Sequence, residues 1–176
     1  MSSKPFTKRG TRRLAAAVIA GAAVIPGTLD AATPQSCVSP QERQWDFWLG
    51  EWRVSDPAGV FQGTNIISRG PKGCGLIEHW TGAQGNEGMS LNGYDAVRKT
   101  WTQFWISPGL AIRLEGRFEK GALRMEGTIS YNKTGIEHPF RGVWTPMQDG
   151  TVKQEFFEQD NKRWNTWFTG IYRRSR

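Results

Sequence analysis

From residue 45 onward the chain alternates apolar and polar residues in short runs, broken by glycine and turn residues every roughly 8 to 12 positions. Leu110, Ile112, Leu114, Gly116 and Phe118 share one face of an extended segment, and Ala111, Arg113, Glu115 and Arg117 share the other. Beyond a Glu119-Lys120-Gly121 turn the pattern resumes, with Leu123, Met125, Gly127, Ile129 and Tyr131 alternating with Arg124, Glu126, Thr128 and Ser130. These runs predict a hairpin with one apolar and one solvated face. A second hairpin joins 140–147 to 152–158 through Asp149-Gly150, and a third leads through Asp160-Asn161-Lys162 into 164–173. Segments 45–55, 60–68, 75–82, 88–94 and 100–107 complete about ten strands. Only Pro40 to Phe47 carries a helical signal, a short turn that Ser39 is placed to cap with Glu42 in its first turn.

Every connection is short, so sequence neighbours are expected to pair antiparallel in an up-and-down meander. Single glycines lie inside the predicted strands at Gly63, Gly93, Gly116, Gly127, Gly142 and Gly170. Interior glycine weakens a flat strand but permits the coiling that closure requires. An open meander would leave two unpaired edges. The expected fold is therefore all-β, a single antiparallel barrel of about ten strands with a short N-terminal helical turn. A Greek-key sandwich is the competing all-β solution.

The first residues follow a different pattern. Lys4, Lys8, Arg9, Arg12 and Arg13 precede an apolar run from Leu14 to Ile25, then Pro26-Gly27 and small residues up to Ala31 and Ala32. That is the layout of a secretory signal peptide over 1–31, cleaved near Ala31 or Ala32. The run is shorter than the roughly 20 residues that span a bilayer core, so no transmembrane segment is expected after processing. Thr11-Arg12-Arg13-Leu14 also fits a twin-arginine signal, and the Sec and twin-arginine routes both remain open. The expected location is exported, periplasmic or secreted.

Export changes the charge picture. The formal charge of +7 falls to +3 once residues 1–31 are set aside, with 18 basic against 15 acidic residues left. Arg173, Arg174 and Arg176 crowd the last four positions, and no other like-charge block resembles a phosphate-binding stripe. Nucleic acid is not the expected partner. Cys37 and Cys74 are the two cysteines, and in an oxidising compartment they are expected to pair. Such a bridge would pin the lead, 32–44, onto the rim of a barrel domain running 45–176. Unpaired thiols are the alternative. Two cysteines with no adjacent histidine make no zinc site.

Trp48-Leu49-Gly50-Glu51-Trp52 carries a family likeness. Gly50-x-Trp52 near the first strand resembles the lipocalin-type (calycin) signature. In such barrels the tryptophan closes the narrow end and a basic residue of the last strand covers its indole. Tyr172-Arg173-Arg174 stands where that partner belongs, so Gly50, Trp52, Arg173 and Arg174 are the structural residues the resemblance implies. More of the chain resembles a bacterial family of uncharacterised, exported lipocalin-like proteins. The matching stretches include Trp45 to Trp52, Gly75 to Trp80, Met89 to Asp95, Trp101 to Trp105 and Trp144-Thr145-Pro146. The resemblance implies the barrel and lends no activity. Nitrobindin-like haem barrels share the Gly-x-Trp start but carry a late axial histidine. Here His79 and His138 are the only histidines, so haem is not expected and no cofactor is assigned.

Glu78 and His79 are adjacent on a predicted strand and point to opposite faces, so they do not act as a pair. Nine tryptophans, all after residue 44, offer large apolar faces each with one N–H donor. Trp101, Gln103 and Trp105 share strand parity, and this triplet is the leading pocket candidate. Trp80, Met89, Gln154 and Glu158 extend the candidate ligand-binding set. Core packing explains the triplet equally well. Neither a nucleophile elbow, a phosphate loop nor a dinucleotide turn is present.

The leading functional expectation is an exported, non-enzymatic barrel that binds a small, mostly apolar or aromatic molecule as a carrier or sensor. One rival is a barrel enzyme, isomerase- or cyclase-like, that uses Glu78 or Glu158 as a lone general acid or base. That rival requires a buried carboxylate with a raised pKa facing an open pocket. A second rival is a structural envelope protein whose barrel is filled.

Overall fold

The computed structural model describes residues 36–175. Ten antiparallel strands form one closed barrel. They are β1 (Gly50–Ser55), β2 (Phe61–Arg69), β3 (Leu76–Gly82), β4 (Glu87–Asp95), β5 (Thr100–Ser107), β6 (Leu110–Glu119), β7 (Ala122–Tyr131), β8 (Ile136–Pro146), β9 (Val152–Asp160) and β10 (Arg163–Arg174). Each strand pairs with its sequence neighbours, and β10 returns to β1, as the short turns require. The expected signal peptide lies outside the described residues. Among the described residues no helix is long and apolar enough to cross a membrane.

The first strand starts later than its hydrophobic pattern suggests. Gln41–Arg43 and Asp46–Trp48 are 3-10 turns, and extended backbone begins only at Gly50. Trp45 and Trp48 are three positions apart, so a strand would send them to opposite faces. A 3-10 turn eclipses positions three apart and brings both indoles onto one side. Their rings stack at 5.1 Å with an interplanar angle of 11°, and both are fully buried. The Ser39 amide donates to Glu42 Oε2 at 2.8 Å and the Glu42 amide donates to Ser39 Oγ at 3.3 Å, a reciprocal cap for the first turn. Asp46 meets Arg69 at the end of β2, and the Cys37–Cys74 disulfide joins this lead to the segment before β3.

These tethers place a tryptophan plug in one end of the barrel. Trp45 meets Trp101 and Trp144 edge-on at 5.4 and 5.0 Å, and Trp48 meets Trp144 and Tyr172. Trp52 donates its indole N–H to the Trp48 carbonyl at 2.8 Å. The Arg174 guanidinium lies 4.5 Å over the Trp52 ring and donates to the Leu49 carbonyl at 3.0 Å. Gly50 makes this closure possible. Its φ of +125° is a conformation side chains rarely adopt, and a Cβ there would strike the guanidinium. Arg173 points the other way, to the outer face, where it donates to Ser55 Oγ at 3.3 Å. Of the two expected basic partners for Trp52, Arg174 alone fills the role, because strand alternation turns Arg173 outward.

Within the barrel wall, the paired β6 and β7 approach closely at Gly116, where a Cβ would meet the Arg124 carbonyl. A bulge between Thr166 and Phe168 sets Trp167 out of the β10–β9 ladder at the opposite, open end.

Candidate functional site

Above the plug the interior changes character. Among the described residues six buried polar side chains sit at mid-barrel: Asn65 on β2, Glu78 on β3, Ser90 and Asn92 on β4, Gln103 on β5 and Gln154 on β9. Strand pairing assembles them, since Glu78 lies directly across from Ser90 and Asn92 directly across from Gln103. Asn65 Nδ2 donates to Glu78 Oε1 at 2.7 Å, and Ser90 Oγ donates to Glu78 Oε2 at 2.6 Å. Asn92 Nδ2 supports Ser90 at 2.8 Å, and Gln103 Nε2 reaches the same hydroxyl at 3.5 Å. The Tyr172 hydroxyl donates to Gln154 Oε1 at 2.6 Å and accepts from Asn65 Nδ2 at 3.3 Å. The result is a polar deck with the Glu78 carboxyl at its centre.

Burial pushes the Glu78 carboxyl up to about 7, against the opposing pull of the Ser90 and Asn65 hydrogen bonds. Burial also raises the Tyr172 hydroxyl well above the usual phenol range, and the nearby Glu78 charge adds to that shift.

A cavity of about 860 Å³ opens from this deck to the mouth of the barrel. Its floor includes Glu78, Gln103, Gln154 and Tyr172, and its walls include Trp80, Trp105, Leu110, Ile112, Phe156 and Phe168. At the mouth, Glu158 accepts a hydrogen bond from the Tyr131 hydroxyl at 2.9 Å, and Trp167 Nε1 donates to that hydroxyl at 3.2 Å. His138 Nδ1 lies 3.6 Å from Glu158 and 3.1 Å from the Gln159 carbonyl. A carbonyl only accepts, so that nitrogen carries a proton.

The geometry divides the sequence candidates. Trp80, Gln103, Trp105 and Gln154 all line the cavity. Trp101 does not: it is fully buried in the plug, against Trp45, because strand β5 runs from the closed end toward the mouth. The expected triplet therefore spans two different environments. Met89 is also displaced from the cavity. It shares strand parity with exposed Leu91, while the intervening Ser90 points inward to Glu78. Glu158 belongs to the mouth cluster rather than the cavity lining. His79 is exposed on the outer wall, opposite in face to Glu78.

Four members of the deck escape sequence inspection: Asn65, Ser90, Asn92 and Tyr172. At Asn65–Ile66 on β2 and from Ser90 to Asn92 on β4 the usual alternation is inverted, with Asn65, Ser90 and Asn92 inside and Ile66 and Leu91 exposed outside. A rule that turns apolar residues inward discards them. The signal that finds them is the pairing register, which sets Ser90 across from a glutamate already suspected of facing inward.

Chemically, the arrangement offers a long apolar chamber ending in hydrogen-bonding groups and one carboxyl that titrates near neutrality. No known family model matches the chain. No curated protein matches it either.

Proposed function

We propose that this chain is an exported, lipocalin-like protein that binds a small, mostly apolar molecule in its barrel, as a carrier or sensor. The observation that carries this reading is the cavity above the polar deck. Its volume falls within the roughly 300–1,000 Å³ typical of small-molecule sites, and its pairing of apolar walls with a few convergent polar groups is typical too. A filled, purely structural barrel would not leave such a space. The Trp-Leu-Gly-x-Trp start and the Arg174–Trp52 closure support placing the chain in the bacterial lipocalin-like family. The disulfide suits an oxidising compartment and hence export. His79 and His138 stand outside the cavity lining, which supports a reading without haem.

A second reading has a specific observation in its favour. Glu78 is a buried carboxyl with a raised pKa, as a proton-transferring barrel enzyme requires, whereas Glu158 stays partly exposed at the mouth. Glu78 would then shuttle a proton to and from a carbon acid held against the aromatic walls.

Native mass spectrometry of protein purified from its own host tests the binding reading. A co-purifying small molecule, or a thermal shift with members of a lipid and aromatic panel, is expected. Bare protein in repeated isolations with no shift across the panel would overturn it. Turnover of a panel member that Glu78→Gln abolishes would favour the enzyme instead.

A further inference from the structure

The cavity is electrostatically one-sided. Among the described residues two carboxylates line it, Glu78 at the floor and Glu87 at the rim, and no lysine, arginine or histidine does. Its walls carry aromatic rings, including Trp80, Trp105, Phe156 and Phe168. Trp80 and Phe168 meet edge-to-face at 6.2 Å. An aromatic face is the negative pole of the ring quadrupole and attracts cations. Chamber and floor therefore favour the same sign of charge.

The possible head groups of an apolar ligand fare differently here. A carboxylate, such as that of a fatty acid, would bury its charge with no cation to meet it and with Glu78 opposing it. A neutral alcohol would find Gln103 and Gln154 but gain nothing from the carboxyl's charge. A protonated amine would pair with Glu78. Each oxygen of that carboxyl accepts one hydrogen bond, from Asn65 or from Ser90, which leaves lone-pair capacity on both for a third donor. The donors around Glu78 already point at it and favour the ionised form, but burial outweighs them while no cation is present.

We propose that the cavity takes an organic cation, a protonated amine on an aromatic or branched apolar body, with its ammonium group seated on Glu78. This rests on the binding reading above and names the ligand class within it. Among the described residues the other groups facing Glu78 are neutral (Asn65, Ser90, Asn92, Gln103 and Gln154) or held protonated (Tyr172), so none of them competes as a cation for the carboxyl. An unpaired, buried Glu78 keeps its proton up to near neutrality, and an arriving ammonium displaces it. Binding at about pH 7 therefore releases a proton to solvent.

Titration calorimetry of the exported, disulfide-bonded protein with phenylbutylamine, phenylbutanol and phenylbutyrate tests this. The three share one body and differ in head group. The amine is expected to bind about tenfold or more tighter than the alcohol, with the carboxylate weakest. At about pH 7 the amine's heat is expected to change between buffers of different ionisation enthalpy, reporting the released proton, while the alcohol's does not. Glu78→Gln is expected to remove the amine's advantage and spare the alcohol. Equal binding of amine and alcohol with no proton release would overturn the inference and leave the binding reading standing. Silence from all three ligands would overturn the inference and count against the binding reading as well. The buffer measurement uses the unmodified protein, so a variant that fails to fold does not shelter the proposal.

Discussion

The two ends of the barrel interior use the same residue type for opposite purposes. At the closed end Trp45, Trp48, Trp52, Trp101 and Trp144 are fully buried and touch one another or Tyr172, so their value lies in filled volume. Toward the mouth Trp80, Trp105 and Trp167 keep part of their surface open and enclose space instead. The polar deck separates the two. On the proposed binding reading, stability is concentrated below Glu78 and recognition above it, which makes the two properties separable by substitution.

The largest effect expected is from Trp45→Ala. Removing an indole that contacts three others should lower the unfolding free energy by about 3–5 kcal/mol in urea titrations, whereas Trp105→Ala should weaken ligand binding with a smaller loss of stability. A loss from Trp105→Ala as large as that from Trp45→Ala would erase the distinction between the two ends. Replacing Cys37 and Cys74 together by serine opens a bridge that spans 37 residues of sequence, and chain entropy assigns that closure about 4 kcal/mol, read in the same titration.

The deck is tested by pH. The Glu78 carboxyl has a folded-state pKa of about 7 against an unfolded value near 4.5, so folding favours its protonated form. Its stabilising share is whole below the unfolded value and is lost as pH rises through the folded one, roughly 3 kcal/mol in all. Wild-type stability should therefore fall between about pH 4.5 and 7 relative to Glu78→Gln, and parallel profiles for the two proteins would refute the assignment. The smallest effect separates two neighbours. Arg174→Ala should lower stability by about 0.5–2 kcal/mol through loss of the contact with Trp52, and Arg173→Ala, on the outer face, by less.

The fold was legible because its signals are local. Alternation from Leu110 to Tyr131, interrupted once by Glu119-Lys120-Gly121, specifies a hairpin without help from the rest of the chain. The Gly50-x-Trp52 start and the terminal arginines specify closure, although only the register shows that Arg174 is the arginine that faces Trp52. The site was less legible because it inverts the rule that found the strands. Ser90 and Asn92 point inward, alternating with the outward Met89 and Leu91, to satisfy one buried carboxyl, and periodicity alone assigns that face wrongly. The start of β1 was missed for a related reason. Trp45 and Trp48 read as strand residues by composition, yet only a tight turn turns both toward the same core.

The seam between first and last strands holds a further consequence. Four residues of β1 pair with β10, from Trp52–Arg174 to Ser55–Ile171, while β6 and β7 pair over ten. A hoop yields at its clasp, and here the clasp is the shortest ladder, backed by the Arg174 bonds and by the Ser175 amide on the Glu51 carbonyl. Transient loosening should start there, so amide protons along Trp52–Ser55 should exchange with solvent sooner than those of the β6–β7 hairpin.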